Sequence, residues 1–241
     1  ELKELFPPRQ AQLGPVCLEV KNLSSSEGVQ DVSFGIRAGE IVGMAGLVGS
    51  GRTEVARAIF GVHPRSAGEL LLDGQKVQVN SPAEAIRLRL GLLTEDRKRS
   101  GLCLELPCSW NITLPSLNQL GMGLVLRPAR EAELAAQAAA RVEVKWASPY
   151  APASSLSGGN QQKLLVARWL LAESRFLLFD EPTRGIDVGA KREVYALLNA
   201  LAKAGKALLF ISSELPELFG VADRILVMRR GKLVGNLLTK D

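Results

Sequence analysis

The sequence is poor in the residues that build metal centres and disulfide frameworks. It has one histidine in 241 residues, and its three cysteines lie among apolar neighbours without a Cys-x-x-Cys spacing (Cys17, Cys103 and Cys108). Structural zinc sites need closely spaced cysteine and histidine ligands, and small disulfide scaffolds need far more cysteine. We therefore expect neither kind of site, and free thiols fit a reducing compartment.

Long hydrophobic runs are also absent. No apolar stretch approaches the ~18–20 residues that a membrane-spanning helix requires. The first residues, "ELKELFPPRQ", are charged and then interrupted by proline, unlike a signal peptide. The chain does not begin with Met, so we expect it to be part of a longer protein. Its 46% hydrophobic and 23% charged residues are typical of a globular chain with a sizeable core.

The charge is only weakly of one sign. A net charge of +5 and a pI of about 9.3 are compatible with binding to nucleic acid or to an anionic membrane surface. The basic residues are mostly interspersed with acidic ones, however, and the one dense cluster is "EDRKR", residues 95–99. This pattern favours an ordinary solvated surface, and we expect no nucleic-acid partner.

The order of the patterns predicts a linker followed by one α/β domain. Residues 1–14 carry prolines and no periodicity, which is typical of a linker. In 15–241, buried strands alternate with amphipathic helices, which predicts a mostly parallel sheet covered on both faces. An Ala-rich and Pro-rich stretch, about 99–164, is predicted to be a helical subdomain inserted between core segments 15–98 and 165–241.

Several elements can be predicted individually. Strands are predicted at "CLEVKNL", "VSFGIR", "GEIVGMAG", "RFLLFDEPT" and "KALLFISSE". Helices are predicted at "RTEVARAIF", at "REAELAAQAAARVEVKW" (130–146), at "ELPELFGVAD" and in the stretch closed by Gly205. Hairpins are expected to turn at Asp73-Gly74 and near Arg230-Gly231. No internal repeat is visible.

The stretch "GLVGSGRTE" has the frame of a phosphate-binding loop, between a buried strand and a helix. Its glycines let successive backbone N–H groups converge on phosphate oxygens, and the N-terminus of the helix points to the same anion. Arg52 stands where the pattern has lysine and brings a bulky planar fork instead of a compact ammonium. The predicted ATP-binding residues of the loop are Gly46, Gly49, Ser50, Gly51, Arg52 and Thr53, with the Thr53 hydroxyl on Mg²⁺.

Two acidic residues follow the predicted strand "FLLF". Asp180 and Glu181 come at its C-terminal end, the edge where open α/β sheets bind ligands. We expect Asp180 to hold Mg²⁺ through water and Glu181 to polarise the water that attacks the γ-phosphate. A solvated acidic turn is the alternative, and the neighbouring glycine loop argues against it.

A third motif, "LSGGNQQK", opens another helix and exposes backbone donors, with Ser157 as the expected N-cap. It predicts a second anion site, separate from the glycine loop. Asp180 follows Lys163 by 17 residues.

With this spacing, "LSGGNQQK", "LLFDEPTRGIDVGAK", "GLVGSGRTE" and "EDRKRSGL" together resemble the ATP-binding subunits of ABC transporters. More narrowly, residues 15–240 are similar to the second nucleotide-binding domain of tandem ATPases serving monosaccharide importers of the ribose, galactose and xylose type. The autoinducer-2 importers are similar too. Residues 1–10 resemble the connector from the first domain. The resemblance implies a P-loop ABC ATPase fold, a RecA-like core with an antiparallel β subdomain and an inserted helical subdomain.

The resemblance also implies roles for residues beyond the glycine loop. ABC domains pair head to tail, so the signature segment of this chain would clamp the ATP held by its partner domain. The residues concerned are Leu156, Ser157, Gly158, Gly159, Asn160 and Gln161. Those expected at the domain interface are Gly185, Ile186 and Asp187. Glu95 occupies the position of a glutamine that senses Mg²⁺ and contacts the membrane subunit.

Three departures from the family pattern lead us to predict an unequal pair of ATP sites. Arg52 replaces the lysine, and Ser213 stands where most of these ATPases have a histidine on the γ-phosphate. No aromatic residue in "NLSSSEGVQDV" could stack on adenine. Because Glu181 is present, we expect this chain's own site to bind MgATP and to hydrolyse it slowly. Glu181 and Ser213 are the predicted catalytic residues.

The resemblance implies a place and partners as well. We expect a peripheral protein on the cytoplasmic face of the bacterial inner membrane. Its partners would be the first ABC domain of the same chain (or a second copy in isolation), permease subunits meeting "LTEDRKRSGLCL", and indirectly a solute-binding protein. Two alternatives stay open at this point: a soluble ABC ATPase acting on nucleic acid or ribosomes, and a nucleotide-binding module that does not hydrolyse.

Overall fold

The structure of the chain, a computed structural model, describes residues 6–9, 11–117, 121–122 and 125–239. The chain divides into two units, here called the first and the second unit. The first unit comprises Glu1–Leu92, Arg175–Pro182 and Tyr195–Asp241. The second unit comprises Leu93–Ser174 and Thr183–Val194.

The regular elements, numbered in chain order, are as follows. The strands are β1 (Val16–Ser25), β2 (Val32–Arg37), β3 (Ile41–Ala45), β4 (Arg65–Leu72), β5 (Gln75–Val77), β6 (Leu90–Leu93), β7 (Gly121–Met122), β8 (Val125–Leu126), β9 (Phe176–Asp180), β10 (Ala207–Ile211), β11 (Arg224–Arg229) and β12 (Lys232–Leu238). The α-helices are α1 (Arg52–Ile59), α2 (Pro82–Arg87), α3 (Cys108–Thr113), α4 (Pro128–Ala140), α5 (Gly158–Leu171), α6 (Val188–Lys203) and α7 (Leu215–Val221).

Two sheets build the first unit. The larger has six strands in the order β12-β11-β3-β10-β9-β6, and β3 pairs in parallel with β10 and β11 while β9 pairs in parallel with β10. Strand β12 joins β11 as an antiparallel hairpin. The smaller sheet is antiparallel, in the order β2-β1-β4-β5. This mixed α/β arrangement confirms the predicted fold class.

The central strands of the larger sheet are apolar on both faces, as expected of parallel strands covered on both sides. Every residue of β3, β9 and β10 is buried. Gly43 in β3 is required by a close approach, because a Cβ there would lie 2.9 Å from the Cβ of Ala222. Asp180 is the last residue of β9, and Ser212 directly follows β10, so both lie at the carboxyl ends of central strands.

Most of the individually predicted elements are present. The β4–β5 hairpin turns at Asp73 and Gly74, both with positive φ, and the β11–β12 hairpin turns at Arg230-Gly231. Gly205, with a φ of 80°, follows α6 as predicted. Helix α2 and strand β6, in contrast, were not predicted.

The second unit is mainly helical, with two differences from the prediction. The helix predicted over 130–146 ends at Ala140, and Glu143 has a positive φ, so the prediction was wrong for its last six residues. A two-stranded antiparallel pair, β7 and β8, lies in a stretch without strand signals. Residues 97–101 form a π-helical turn whose first amides are capped by the Asp96 carboxylate.

The predicted limits of the helical subdomain, about 99–164, remain a prediction. The second unit begins earlier, at Leu93, and holds helix α5 whole. It also includes 183–194, which follows the strand β9 in sequence. A buried arginine joins its helices: Arg168 donates from Nε to the Asn111 carbonyl at 2.6 Å and from Nη1 to the Gly101 carbonyl at 2.7 Å. Burial lowers the pKa of Arg168 to about 10.

The described part of the predicted linker contacts the first unit. The Phe6 ring lies 5.0 Å from the Tyr195 ring, and Arg9 forms an ion pair with Asp223. Residues 1–5 and 10 of the predicted linker lie outside the described residues. Among the helices that the structure describes, none has the length and apolar character needed to cross a membrane.

Candidate functional site

The glycine loop of the first unit joins β3 to α1 through backbone that only glycine adopts easily. Gly49 and Gly51 have φ values of 77° and 101°, in the left-handed region. A Cβ on Gly51 would lie 3.1 Å from the Cα of Gly231. The Gly231 amide also donates to the Ser50 carbonyl at 2.8 Å, so the loop is held against the β11–β12 turn.

Arg52 is the first residue of α1, and its side chain is buried against the carboxyl ends of the central strands. Its Nη1 donates to the Ser212 carbonyl at 2.7 Å, and its Nη2 lies 3.4 Å from Oε1 of Glu181. Both side chains of this ion pair are only 9% exposed. The loop's cation therefore contacts the end of β9 and the end of β10 at once.

Thr53 and Asp180 meet at the same edge. The Thr53 hydroxyl donates to Oδ1 of Asp180 at 3.1 Å. Asp180 is 2% exposed, and burial raises the pKa of its carboxyl to about 6, against the opposing effect of the Thr53 hydrogen bond. A positive ion at this position would restore the charged form of the carboxylate.

Glu181 is engaged at both oxygens by groups of the first unit. Its Oε1 faces Arg52, and its Oε2 accepts a hydrogen bond from the Ser213 hydroxyl at 3.1 Å. Its backbone has a positive φ of 48°, which is uncommon outside glycine, and its amide donates to the Ile211 carbonyl. The two predicted catalytic residues are thus in direct contact.

The residues around the loop fit a phosphate and a magnesium ion. The Ser50 hydroxyl is buried and has no hydrogen-bond partner among the described residues, so a ligand oxygen would satisfy it. Thr53 and Asp180 offer the hard oxygen ligands that Mg²⁺ prefers. Within the described ranges, no group of three or more His, Cys, Asp or Glu side chains could hold a metal ion. Magnesium held here would therefore need phosphate and water ligands as well.

The predicted signature segment lies in the second unit, at the start of α5. Ser157 occupies the N-cap position and is exposed, but its hydroxyl caps no backbone amide; it accepts from Nδ2 of Asn160 at 3.0 Å. The Gln161 amide donates to the Ser157 carbonyl, and Leu156 is 9% exposed. The side chain of Ser157 therefore faces solvent at the N-terminus of a 14-residue helix.

Two glycines of this segment pack closely against neighbours within the second unit. A Cβ on Gly159 would lie 2.8 Å from the Cβ of Ala190. A Cβ on Gly158 would lie 2.8 Å from Nη2 of Arg97 and 3.0 Å from Cγ2 of Ile186. Any larger residue at Gly158 must displace one of these two groups.

Arg97 is a residue whose role the sequence analysis missed, because "EDRKR" resembles an ordinary charged surface. It donates from Nε to Oε1 of Gln161 at 3.1 Å and from Nη1 to the Arg184 carbonyl at 3.0 Å. Its Nη2 donates to the Gly185 carbonyl at 3.4 Å. Partial burial lowers the pKa of Arg97. One side chain thus joins the signature segment to the segment predicted for the interface.

The remaining predicted residues also belong to the second unit. Asp187 caps α6, since its Oδ1 accepts from the Ala190 amide at 3.0 Å. Glu95 forms an ion pair with Arg184, and both line a polar cavity of about 270 Å³. The predicted ATP-binding and catalytic residues therefore fall into two groups: Glu95 is in the second unit, and the loop, Asp180, Glu181 and Ser213 are in the first.

Known proteins match this chain along most of its length. Residues 29–184 match the family model described as ABC transporter. The chain is 45% identical to the ribose import ATP-binding protein RbsA of Bacillus subtilis (strain 168), over 100% of this chain and 49% of that protein. It is 48% identical to the ribose import ATP-binding protein RbsA 3 of Rubrobacter xylanophilus, over 98% of this chain and 48% of that protein. The chain thus spans about half the length of the curated relatives that it matches.

Solved structures share the fold. A nucleotide-free ATP-binding cassette from an ABC transporter has a TM-score of 0.78 and 18% identity, over 92% of this chain and 91% of that one. A dimeric, post-hydrolysis ATP-binding cassette, MJ0796, bound to ADP and Pi has a TM-score of 0.77 and 20% identity, over 93% and 99%. The predicted ABC ATPase fold is therefore confirmed.

Proposed function

This chain belongs to the ABC transporter family, and from that premise we propose that it is an ATP-binding and ATP-hydrolysing motor domain of an importer. The observation that carries the proposal is the meeting of Arg52 and Thr53 with Asp180 and Glu181 at one edge of the first unit. The names of its relatives, ribose import ATP-binding proteins, favour a sugar or a related small polar solute as the cargo.

Binding of ATP would use the backbone first. The amides of the glycine loop and the N-terminus of α1 present donors and a positive dipole end to the β- and γ-phosphates. The Ser50 hydroxyl, which is buried without a partner among the described residues, adds a donor. Arg52 adds a cation, whose remaining N–H groups can reach a phosphate oxygen while Nη1 stays on the Ser212 carbonyl.

Hydrolysis would depend on the ends of β9 and β10. Thr53 and Asp180 would hold Mg²⁺, which when bound neutralises charge on the phosphates. Glu181 would accept a hydrogen bond from the attacking water and orient it. Ser213 would supply its hydroxyl near the γ-phosphate, in the position where the family has histidine.

We infer that this site binds ATP and hydrolyses it slowly. Glu181 faces Arg52 and accepts from Ser213, so a water molecule must compete for its oxygens. Losing one positioned donor in an active site costs ~100–1000-fold in rate, and serine reaches less far than histidine. Most turnover would then take place in the other site of the pair, which the segment Leu156–Gln161 of this chain completes.

The proposed partners follow from the length of the relatives. Because the chain spans about half of each, we propose that it is one domain of a tandem chain. The resemblance of residues 1–10 to a connector favours the second position, in which it pairs with the first domain. Permease subunits in the bacterial inner membrane would take up the motion at the cytoplasmic face, with "LTEDRKRSGLCL" as the contact. A solute-binding protein would act indirectly.

One observation favours a second candidate, a domain that binds ATP without hydrolysing it. Arg52 and Ser213 each contact one oxygen of Glu181, and an ion pair with Arg52 weakens the carboxylate as an acceptor for the attacking water. Action on nucleic acid is not favoured, since the similar proteins are importer subunits. Single-turnover hydrolysis by this chain's own site separates the two candidates.

The test uses the full tandem protein assembled with its permease. Glu181→Gln is compared with the equivalent change in the first domain, and ATP turnover and solute uptake are measured in vesicles. We expect Glu181→Gln to lower turnover by less than half and the first-domain change to abolish it. Equal losses would overturn the unequal pair. Failure of this chain to bind an ATP analogue in calorimetry would overturn the proposal altogether.

A further inference from the structure

A buried carboxylate that no motif marks lies on helix α7. Glu217 is 2% exposed, and two hydroxyls donate to it: Tyr195 to Oε1 and Ser212 to Oε2, both at 2.7 Å. Both hydroxyl-bearing residues are only 1% exposed. Burial, and then the hydrogen bond to Glu217, raise the pKa of Tyr195, so the phenol stays a donor. A carboxylate so deeply buried is tolerated because it accepts such bonds.

Of the two residues that donate to Glu217, Ser212 also contacts the proposed ATP site. The Ser212 hydroxyl also accepts from the Glu214 amide at 3.1 Å, which closes the turn after β10. The Ser212 carbonyl takes the guanidinium of Arg52 at 2.7 Å. The next residue, Ser213, donates to Glu181. One turn therefore contacts both Arg52 and Glu181, and its first residue is held by Glu217.

We propose that Glu217 is a positioning residue of the nucleotide site, which acts through Ser212 on Arg52. This inference rests on the proposed function of Gly46–Thr53 as an ATP site. A guanidinium is a planar fork, so anchoring one nitrogen on a fixed carbonyl sets the direction of the others. Loosening the Ser212 turn leaves Arg52 free to rotate, and the phosphate must then order it on binding.

The two hydroxyls on Glu217 provide a matched pair of variants. Ser212→Ala and Tyr195→Phe each remove one hydroxyl from the same carboxylate, one from each oxygen. Only the first lies on the path to Arg52, since Tyr195 is on α6 and contacts Phe6 on its other side.

Ser212→Ala also removes the acceptor of the Glu214 amide, whereas Glu217→Gln leaves that hydrogen bond in place. The decisive comparison is therefore between Glu217→Gln and Tyr195→Phe, and a purely structural role of Glu217 predicts that these two weaken binding equally.

The experiment measures binding of a non-hydrolysable ATP analogue with Mg²⁺ by calorimetry, together with thermal melting. We expect Ser212→Ala and Glu217→Gln to weaken binding ~3–10-fold, and Tyr195→Phe to change it less than about two-fold at a similar loss of melting temperature. In an Arg52→Lys background, Ser212→Ala is expected to weaken binding no further, because the fork that the carbonyl anchors is gone. If Glu217→Gln does not fold, Glu217→Asp replaces it, since the shorter carboxylate also loosens the hold on Ser212 and leaves the Glu214 amide bonded to the Ser212 hydroxyl.

Two results would overturn the inference. One is equal weakening by Glu217→Gln and Tyr195→Phe. The other is a Ser212→Ala effect of the same size in the unchanged chain and in the Arg52→Lys background. No binding of the analogue by the unchanged chain would overturn the proposed function, and this inference with it.

Discussion

Arg52 and Arg97 are two arginines in comparable settings, one in each unit. Each contacts segments distant in sequence and donates to backbone carbonyls there: Arg52 to Ser212, Arg97 to Arg184 and Gly185. They differ in their other partner. Arg52 faces a carboxylate, Glu181, at 3.4 Å, whereas Arg97 donates to the neutral amide oxygen of Gln161 at 3.1 Å.

This difference separates two kinds of role. A cation beside a buried carboxylate has a charge that a phosphate can share, which supports the proposal that Arg52 contacts the nucleotide of this chain's own site. Arg97 satisfies neutral acceptors and thereby fixes the start of α5 against the segment predicted for the domain interface. We therefore expect Arg52 to act on this chain's own nucleotide and Arg97 to act on the nucleotide of its partner.

The largest expected effect of these substitutions is on nucleotide binding, and it comes from replacing Arg52. Arg52→Gln should weaken binding of an ATP analogue to this chain ~10–100-fold, because a charge-assisted hydrogen bond to phosphate is lost. Calorimetry with Mg²⁺ measures it.

Arg97→Gln is the matched control, since it removes the same charge from the second unit. It should leave the affinity of this chain unchanged within about two-fold. Similar weakening by both variants would mean that their charges act at long range, and the distinction between the two roles would fail.

A smaller effect is expected at the other end of the comparison, at Gly158. Gly158→Ala puts a Cβ 2.8 Å from Nη2 of Arg97 and 3.0 Å from Cγ2 of Ile186, so the Arg97 guanidinium must move away from the signature turn. We expect ATP turnover by the assembled tandem protein to fall ~10-fold, because backbone donors that Arg97 no longer positions stabilise the partner's phosphate less well. The affinity of this chain alone for ATP should not change.

Gly235→Ala is a suitable control for that substitution. A Cβ there would meet Val227 at an ordinary 3.4 Å, and the backbone needs no glycine. Equal ATP turnover by the Gly158→Ala and Gly235→Ala variants would contradict a role of the signature turn in the partner's ATP site.

The smallest effect concerns stability, and it tests the burial of Asp180, which lies beside Arg52 at the carboxyl ends of the central strands. The pKa of Asp180 is raised to about 6 in the fold, mainly by burial, from an ordinary value of 3.8. A raised folded pKa means that the folded state binds the proton more tightly. The ionised carboxylate therefore destabilises the fold, and stability falls as pH rises from about 4 to about 6.

Asp180→Asn removes this penalty. The variant should gain roughly 1–2 kcal/mol of unfolding free energy relative to the unchanged chain at pH 8, and little at pH 4. Urea denaturation in a metal-free buffer at both values measures the gain. A gain of the same size at pH 4 would contradict the burial of an ionised Asp180 as its cause.

Local patterns were sufficient to predict most of the first unit. The hairpin at Asp73-Gly74 and the helix ending before Gly205 depend on backbone conformations that neighbouring residues determine. The helix predicted through Trp146 was wrong beyond Ala140, since the alanines favour helix but the chain turns at Glu143. The residue pattern of a helix does not show where packing against other segments makes the helix end.

The candidate site was predictable only where a motif marks it. The pairs Thr53 with Asp180 and Glu181 with Ser213 join residues that the sequence analysis had already selected.

The roles of Arg97 and Glu217 were not predicted, because the sequence of a charged cluster or of a lone glutamate in a helix does not show whether the side chain is exposed or buried. Gln161 lies 64 residues from Arg97 along the chain. Tyr195 lies 22 residues from Glu217, although Ser212 is only 5 residues away from Glu217.

The sequence by itself determined the order of strand, glycine loop and helix, and the chemical groups that follow each strand, because these depend on neighbouring residues. The tertiary structure decided which carbonyl holds Arg52, that Glu217 is buried with two donors, and that the pKa of Asp180 is raised. Burial and electrostatic interactions sum over every group that packs nearby, and distant parts of the chain supply most of those groups.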